Sequence, residues 1–223
     1  MLLPYWFRHF KSEGVILKTK IRYNLTLLSV LAAAVLWFFL FVIKPMNFWL
    51  EMSLSIVLLT VFAALLNNGK FQIGKIRIRH ILIGVFSAVL LYFVFYAGNI
   101  ITGFILPFEN VQVMSVYNNK AGVDLRLISF LLVFIIGPGE ELYWRGFIQK
   151  TLSAKLGSRK GYLLGTALYA GVHILTGNFM LVVAALVCGL FWGFLYEKEK
   201  SIVPVIISHV IWDLFVFVLF PLM

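Results

Sequence analysis

Charge is scarce in this chain. Only 13% of its 223 residues are charged, and acidic residues number nine. An ordinary soluble domain is about a quarter charged and half apolar. Here 62% of residues are hydrophobic and 17% aromatic, more apolar surface than a water-soluble fold of this length can hide. Lipid is therefore the solvent for much of it. Cysteine is almost missing: Cys188 is alone, in an apolar run, which excludes an intrachain disulfide. No internal repeat, low-complexity tract or soluble domain interrupts the pattern. The composition implies an all-α, polytopic bundle in a multi-pass membrane protein of the cell membrane.

A spanning helix needs about 20 mostly apolar residues. Seven segments qualify as candidates: 24–43, 48–66, 81–106, 127–149, 161–176, 179–196 and 201–222. The third is long enough to tilt, and the fifth is short. Ahead of them lies a basic stretch with an aromatic patch at Tyr5, Trp6 and Phe7, expected in the membrane interface. It does not read as a signal peptide, since the following apolar run is too long and lacks a small-residue cleavage site. With a cytoplasmic N-terminus and alternating spans, fifteen Lys and Arg residues face the cytoplasm. Only Lys44, Lys120 and Arg126 face outward, and Arg145 stays within the bilayer. This is the positive-inside asymmetry. It converts the net charge of +10 from a nucleic-acid signal into a topology signal, with contact to anionic lipids as a second use. Lipids are thus expected partners and nucleic acid is not. Residues 1–120 read as N-terminal transmembrane helices and 121–223 as the core that carries the chemistry.

Seven ionisable residues then lie within or at the ends of spans: Glu51, Glu140, Glu141, Arg145, His173, His209 and Asp213. Each costs about 2.5–3.5 kcal/mol at mid-bilayer even on the lenient insertion scale, so they must face inward and satisfy one another or line a wet cavity. Glu141 and Arg145 are four apart and share a helix face. Glu140 lies about 100° round from Glu141. One carboxylate can thus be tied to Arg145 while the other is free to act as a general base. His209 and Asp213 repeat the spacing of four, as do Tyr169 and His173. At about 1.5 Å per residue, Glu140, His209 and His173 sit ~14, ~12 and ~18 Å from the basic side, so nothing forbids a common site. Gly137-Pro138-Gly139, just upstream of Glu140, is expected to break the helix and expose carbonyls, or simply to kink it.

Plainer readings stand beside these. The two glutamates and Arg145 could be a structural ion cluster. His173 could be a satisfied core histidine, and His209 with Asp213 a helix-to-helix hydrogen bond. Glu51, near the end of its span, is expected to snorkel or cap. Lys120, Asp124 and Arg126 read as a solvated loop. Trp37, Trp49, Trp192 and Trp212 are expected at interfaces or in packing.

Residues 139–146, Gly-Glu-Glu-Leu-Tyr-Trp-Arg-Gly, resemble the Glu-Glu-x-x-x-Arg-Gly signature of the CPBP family, which comprises type II CAAX prenyl endopeptidases and bacteriocin-processing or self-immunity proteins. Tyr169 to His173 looks like its Phe-x-x-x-His motif, and His209 to Asp213 like its His-x-x-x-Asn motif. All three occur in order within 127–222. The resemblance implies an intramembrane endopeptidase of glutamic type, formerly regarded as a metalloprotease, acting on a membrane-associated peptide or lipidated protein. It implies catalytic roles for Glu140, His173, His209 and Asp213. Glu140 would activate a water that His173 helps to hold, and His209, with or without Asp213, would stabilise the oxyanion. Glu141, Arg145 and Tyr169 would support the site. Asp213 departs from the usual Asn: ionised, it cannot donate to an oxyanion, so it would either be protonated or orient His209 instead. No cofactor is expected. The alternative is Zn²⁺ held by Glu140, His173 and His209, although no His-Glu-x-x-His is present. Alternatives in function are a catalytically dispensable scaffold or immunity protein of the same fold and a small transporter, for which the usual inverted repeat is missing.

Overall fold

A computed structural model describes the backbone of residues 5–67, 69, 71 and 73–222, with side chains from residue 22 onward. The aromatic patch at Tyr5, Trp6 and Phe7 lies outside the described side chains. Among the described residues, eight helices follow in order. α1 runs over Tyr5–Phe38 and closes in a π turn at Phe39–Ile43; α2 is Phe48–Leu66 and α3 Ile78–Ile105. α4 covers Glu109–Lys120, α5 Leu125–Leu156, α6 Ser158–Gly171, α7 Phe179–Glu199, and α8 Val203–Leu219. There is no strand among the described residues.

All seven expected spans fall on helices, but length and composition qualify only four: Arg22–Ile43, Phe48–Leu66, Ile78–Ile105 and Phe179–Glu199. α4 and α5 would make a fifth only as one broken span, bent by 98°. α5 carries Glu140, Glu141 and Arg145 in its middle, which lowers its hydropathy. α6 has 14 residues and is about 21 Å long, short of a ~30 Å hydrocarbon layer. The short and polar helices are the ones that hold the motifs, and the long apolar helices surround them. Large side chains point outward from these: Phe104 is 88% exposed and Leu65 73%, as befits surfaces that meet acyl chains.

Contacts sort the chain into two ends. At one, Arg22 bonds Asn67, Lys155 sits over the Tyr23 ring, Arg79 pairs with Glu199, and Glu197 meets Ser158 and Lys200. At the other, Trp49 donates to the Asn119 carbonyl, Asn178 donates to Gln112, and the Tyr117 hydroxyl accepts from Leu222 N–H. The chain reverses between these ends as the charge pattern requires. Lys120 is not a solvated loop residue: its ammonium, half-buried, donates to the Phe217 carbonyl. Asp124 instead caps α5 by accepting from Arg126 N–H.

Both halves of the chain share one core. Val30, Ala33 and Trp37 of α1 and Ile56 and Leu59 of α2 join Tyr143, Trp144, Phe147 and Ile148 of α5, Tyr169, Trp192 and Trp212. Trp37, Trp49, Trp192 and Trp212 are all buried, so none is an interfacial anchor. Several hydroxyls on the spans are satisfied by carbonyls of their own helix, as lipid demands. Thr26, for example, donates to the Arg22 carbonyl, and Ser29 to that of Thr26.

Candidate active site

The helix does not break at Gly137-Pro138-Gly139. A π turn at Leu132–Ile136 precedes it and helix continues through Gly137–Tyr143. A proline cannot donate to the preceding turn. The widened turn shifts the hydrogen-bond register and absorbs that loss. The glycines serve close packing instead. A Cβ on Gly137 would come within 2.8 Å of Val210, and one on Gly139 within 3.0 Å of Ile56. The Gly139 carbonyl is met by the Thr60 hydroxyl at 3.2 Å. α5 is thereby pressed between α2 and α8, which fixes the height of the next two residues.

Those residues, Glu140 and Glu141, are buried and point different ways. Glu141 is fully enclosed. Its Oε1 accepts from Arg145 at 3.0 Å and from His209 Nδ1 at 2.6 Å, while Oε2 has no partner. Arg145 is held on three sides: it donates to the Cys188 carbonyl, and its guanidinium lies 4.6 Å from the Tyr169 ring centre and 5.6 Å from that of Trp192. A planar cation between aromatic faces is well placed for cation–π attraction. Glu140, on the adjacent face, accepts a 2.9 Å hydrogen bond from the Tyr169 hydroxyl at Oε2.

His209 stacks on Trp192, with ring centres 3.8 Å apart and planes inclined by 20°. Ser208 accepts from the Trp192 N–H and holds that ring in place. The far nitrogen, Nε2, lies 3.5 Å from Asp213 Oδ2, beyond a good hydrogen bond, and Oδ2 has no other partner. His173 lies one turn beyond Tyr169. Its Nδ1 is 2.8 Å from the Tyr169 carbonyl, and its Nε2 accepts from the Trp37 indole at 2.8 Å. Indole N–H only donates, so Nε2 is the acceptor and Nδ1 carries the proton. Both ring nitrogens are therefore engaged by protein groups, and neither is open to the water that the motif leads one to expect there.

Glu140, Glu141, Arg145, Tyr169, His209 and Asp213 are thus brought together across α5, α6 and α8. His173 joins them through Tyr169. Glu51 stands apart: it is buried in the first turn of α2 and does not snorkel. The zinc set of Glu140, His173 and His209 does not fit. An indole proton faces the lone pair His173 would need, His209 Nδ1 is spent on Glu141, and no three His, Cys, Asp or Glu side chains among the described residues converge as ligands. Sequence reasoning missed Trp37 and Trp192. Trp192 left no motif signal; Trp37 left only its place on a span that the motif helices must contact.

Residues 123–215 match the family model described as Type II CAAX prenyl endopeptidase Rce1-like. That segment is similar to this family. The Rce1-like segment takes in all of the clustered ionisable residues and Tyr169, and leaves out α1 to α4. No curated protein and no solved structure matches the chain.

Proposed function

We propose that this protein is an intramembrane endopeptidase in which Glu140 is the general base. One observation carries the reading: of two adjacent buried carboxylates, Glu141 is neutralised by Arg145 and His209, and Glu140 is left with a single hydroxyl. Glu140 takes a proton from water as the water oxygen bonds to a peptide carbonyl carbon. The carbonyl oxygen becomes an oxyanion. The C–N bond then breaks, and the proton passes from Glu140 to the departing amine. His209 serves the oxyanion. With carboxylates beside both of its nitrogens, the imidazolium is the form that satisfies each, and its Nε2–H is the donor not bonded to Glu141. Asp213, 3.5 Å from Nε2, stands beside that ring as a counter-charge rather than meeting the oxyanion. Tyr169, Glu141 and Arg145 position the groups, and His173 holds Tyr169 from behind. No cofactor enters the steps.

The substrate is a peptide or lipidated protein held at the membrane. An apolar cavity of about 260 Å³, lined in part by Val94, Phe95, Val187, Trp212 and Val216, supports this. Trp212 packs edge-on against Trp192, the ring under His209. A hydrocarbon group or large apolar side chain filling that space would lie two aromatic rings from His209. The test is cleavage of a farnesylated peptide ending in a CAAX box, and of an unprenylated apolar peptide, by purified protein in detergent. Glu140→Gln should abolish cleavage while leaving insertion and yield unchanged. Full activity in both Glu140→Gln and His209→Ala would overturn the protease reading in favour of a scaffold.

A further inference from the structure

Helix α6 ends badly for a segment at membrane depth. Past Gly171, the Val172 N–H returns to the Leu168 carbonyl and the His173 N–H to that of Ala170. The Tyr169 carbonyl between them is skipped. An orphan carbonyl away from water is costly, so another donor must supply it. The donor is the imidazole of His173, whose Nδ1 stands 2.8 Å away.

That bond exists only if the proton is on Nδ1. A neutral imidazole has one N–H and two tautomers, and the partner of the second nitrogen selects between them. Trp37 makes the selection. It is buried, it donates to Nε2 at 2.8 Å, and its ring stands nearly perpendicular to the imidazole at 88°. The other rings near His173 belong to Phe41 and Tyr169. Phe41 offers no competing proton; the Tyr169 hydroxyl is already given to Glu140. The far end of the same tyrosine thus reaches the carboxylate, 2.9 Å from its Oε2.

We propose that Trp37 is a positioning residue for the Glu140 carboxylate, acting through His173 and Tyr169. Its indole proton sets the His173 tautomer, the imidazole closes the end of α6, and the closed helix end holds the Tyr169 hydroxyl against Glu140. The link starts on α1, outside the matched segment 123–215. It rests on Glu140 being the base, but its first half is testable without any substrate.

The experiment is ¹⁵N-histidine NMR on the full chain in lipid nanodiscs, with His173 assigned by its loss in His173→Gln, together with steady-state cleavage of the farnesylated peptide. Wild type should show a protonated Nδ1 and an unprotonated, hydrogen-bonded Nε2. Trp37→Phe keeps a ring but removes the proton; the His173 signals should then report mixed tautomers. The same variant should lose about ten- to a hundredfold in kcat with KM unchanged, the scale expected when a catalytic group is displaced slightly. Trp37→His, which restores an N–H, should recover part of both signals and covers the case in which Trp37→Phe does not fold. A protonated Nε2 in wild type, or unchanged tautomer and kcat in Trp37→Phe, overturns the proposal. A rise in kcat does so too, because Trp37 would then be blocking His173. Should Glu140→Gln retain activity, the protease reading fails, and the tautomer measurement still decides whether Trp37 controls His173.

Discussion

The two halves of this molecule divide their labour by charge. α5, α8 and the turn after α6 supply the carboxylates, the arginine and the histidines of the site, namely Glu140, Glu141, Arg145, His173, His209 and Asp213. α1 and α2 contribute neutral groups: the Trp37 indole to His173, the Ser29 hydroxyl to Tyr143, and the Thr60 hydroxyl to the Gly139 carbonyl. The difference follows from solvation. Moving a charge out of water costs several kcal/mol and is tolerated only when it is paired or put to use. A hydroxyl or indole costs far less to bury and still gives direction through a hydrogen bond. The half without motifs can therefore fix geometry at little expense.

Removing charges should separate the halves most sharply. Arg145→Ala leaves the buried Glu141 without its arginine partner, and should cost about 3–5 kcal/mol of stability, read by thermal unfolding in micelles. His209→Ala should leave the fold largely intact but lower kcat by about 10²–10³, the usual scale for one oxyanion donor. Val187→Trp, which fills the apolar cavity without touching a charged group, should raise KM for the farnesylated peptide and spare kcat. Smallest should be Ser29→Ala on α1, which takes away the partner of the Tyr143 hydroxyl and should cost about 1 kcal/mol in the same unfolding measurement. A loss from Ser29→Ala as large as that from Arg145→Ala would erase the distinction between the halves.

The helices were legible in the sequence because lipid imposes long apolar runs. So was the pairing of Glu141 with Arg145, which needs only the spacing of four on a helix face. The split between the adjacent carboxylates could be read for the same reason. Less visible was the widened turn before Pro138, because no residue type announces a π turn, and the expected break became a register shift. Length and composition qualify four of the seven expected segments as spans by themselves, because α6 and α8 are short and α5 carries its charges in the middle. The engagement of His173 by Trp37 joins residues on helices far apart in the chain, and a single sequence holds no record of which face of α1 turns inward.

Among the described residues, four π turns punctuate the bundle, at Phe39–Ile43, Leu132–Ile136, Trp144–Gln149 and Phe215–Leu219. Each holds roughly one residue more than an α turn, so the angular phase of the helix slips by about 100° across it. A helical wheel drawn through α5 from end to end therefore mixes three different phases. Any scan that assigns its lipid-facing and inward-facing positions must restart at residues 132 and 144. Trimming one residue from either turn would swing one segment of α5 relative to its neighbour without altering a single side chain of the site.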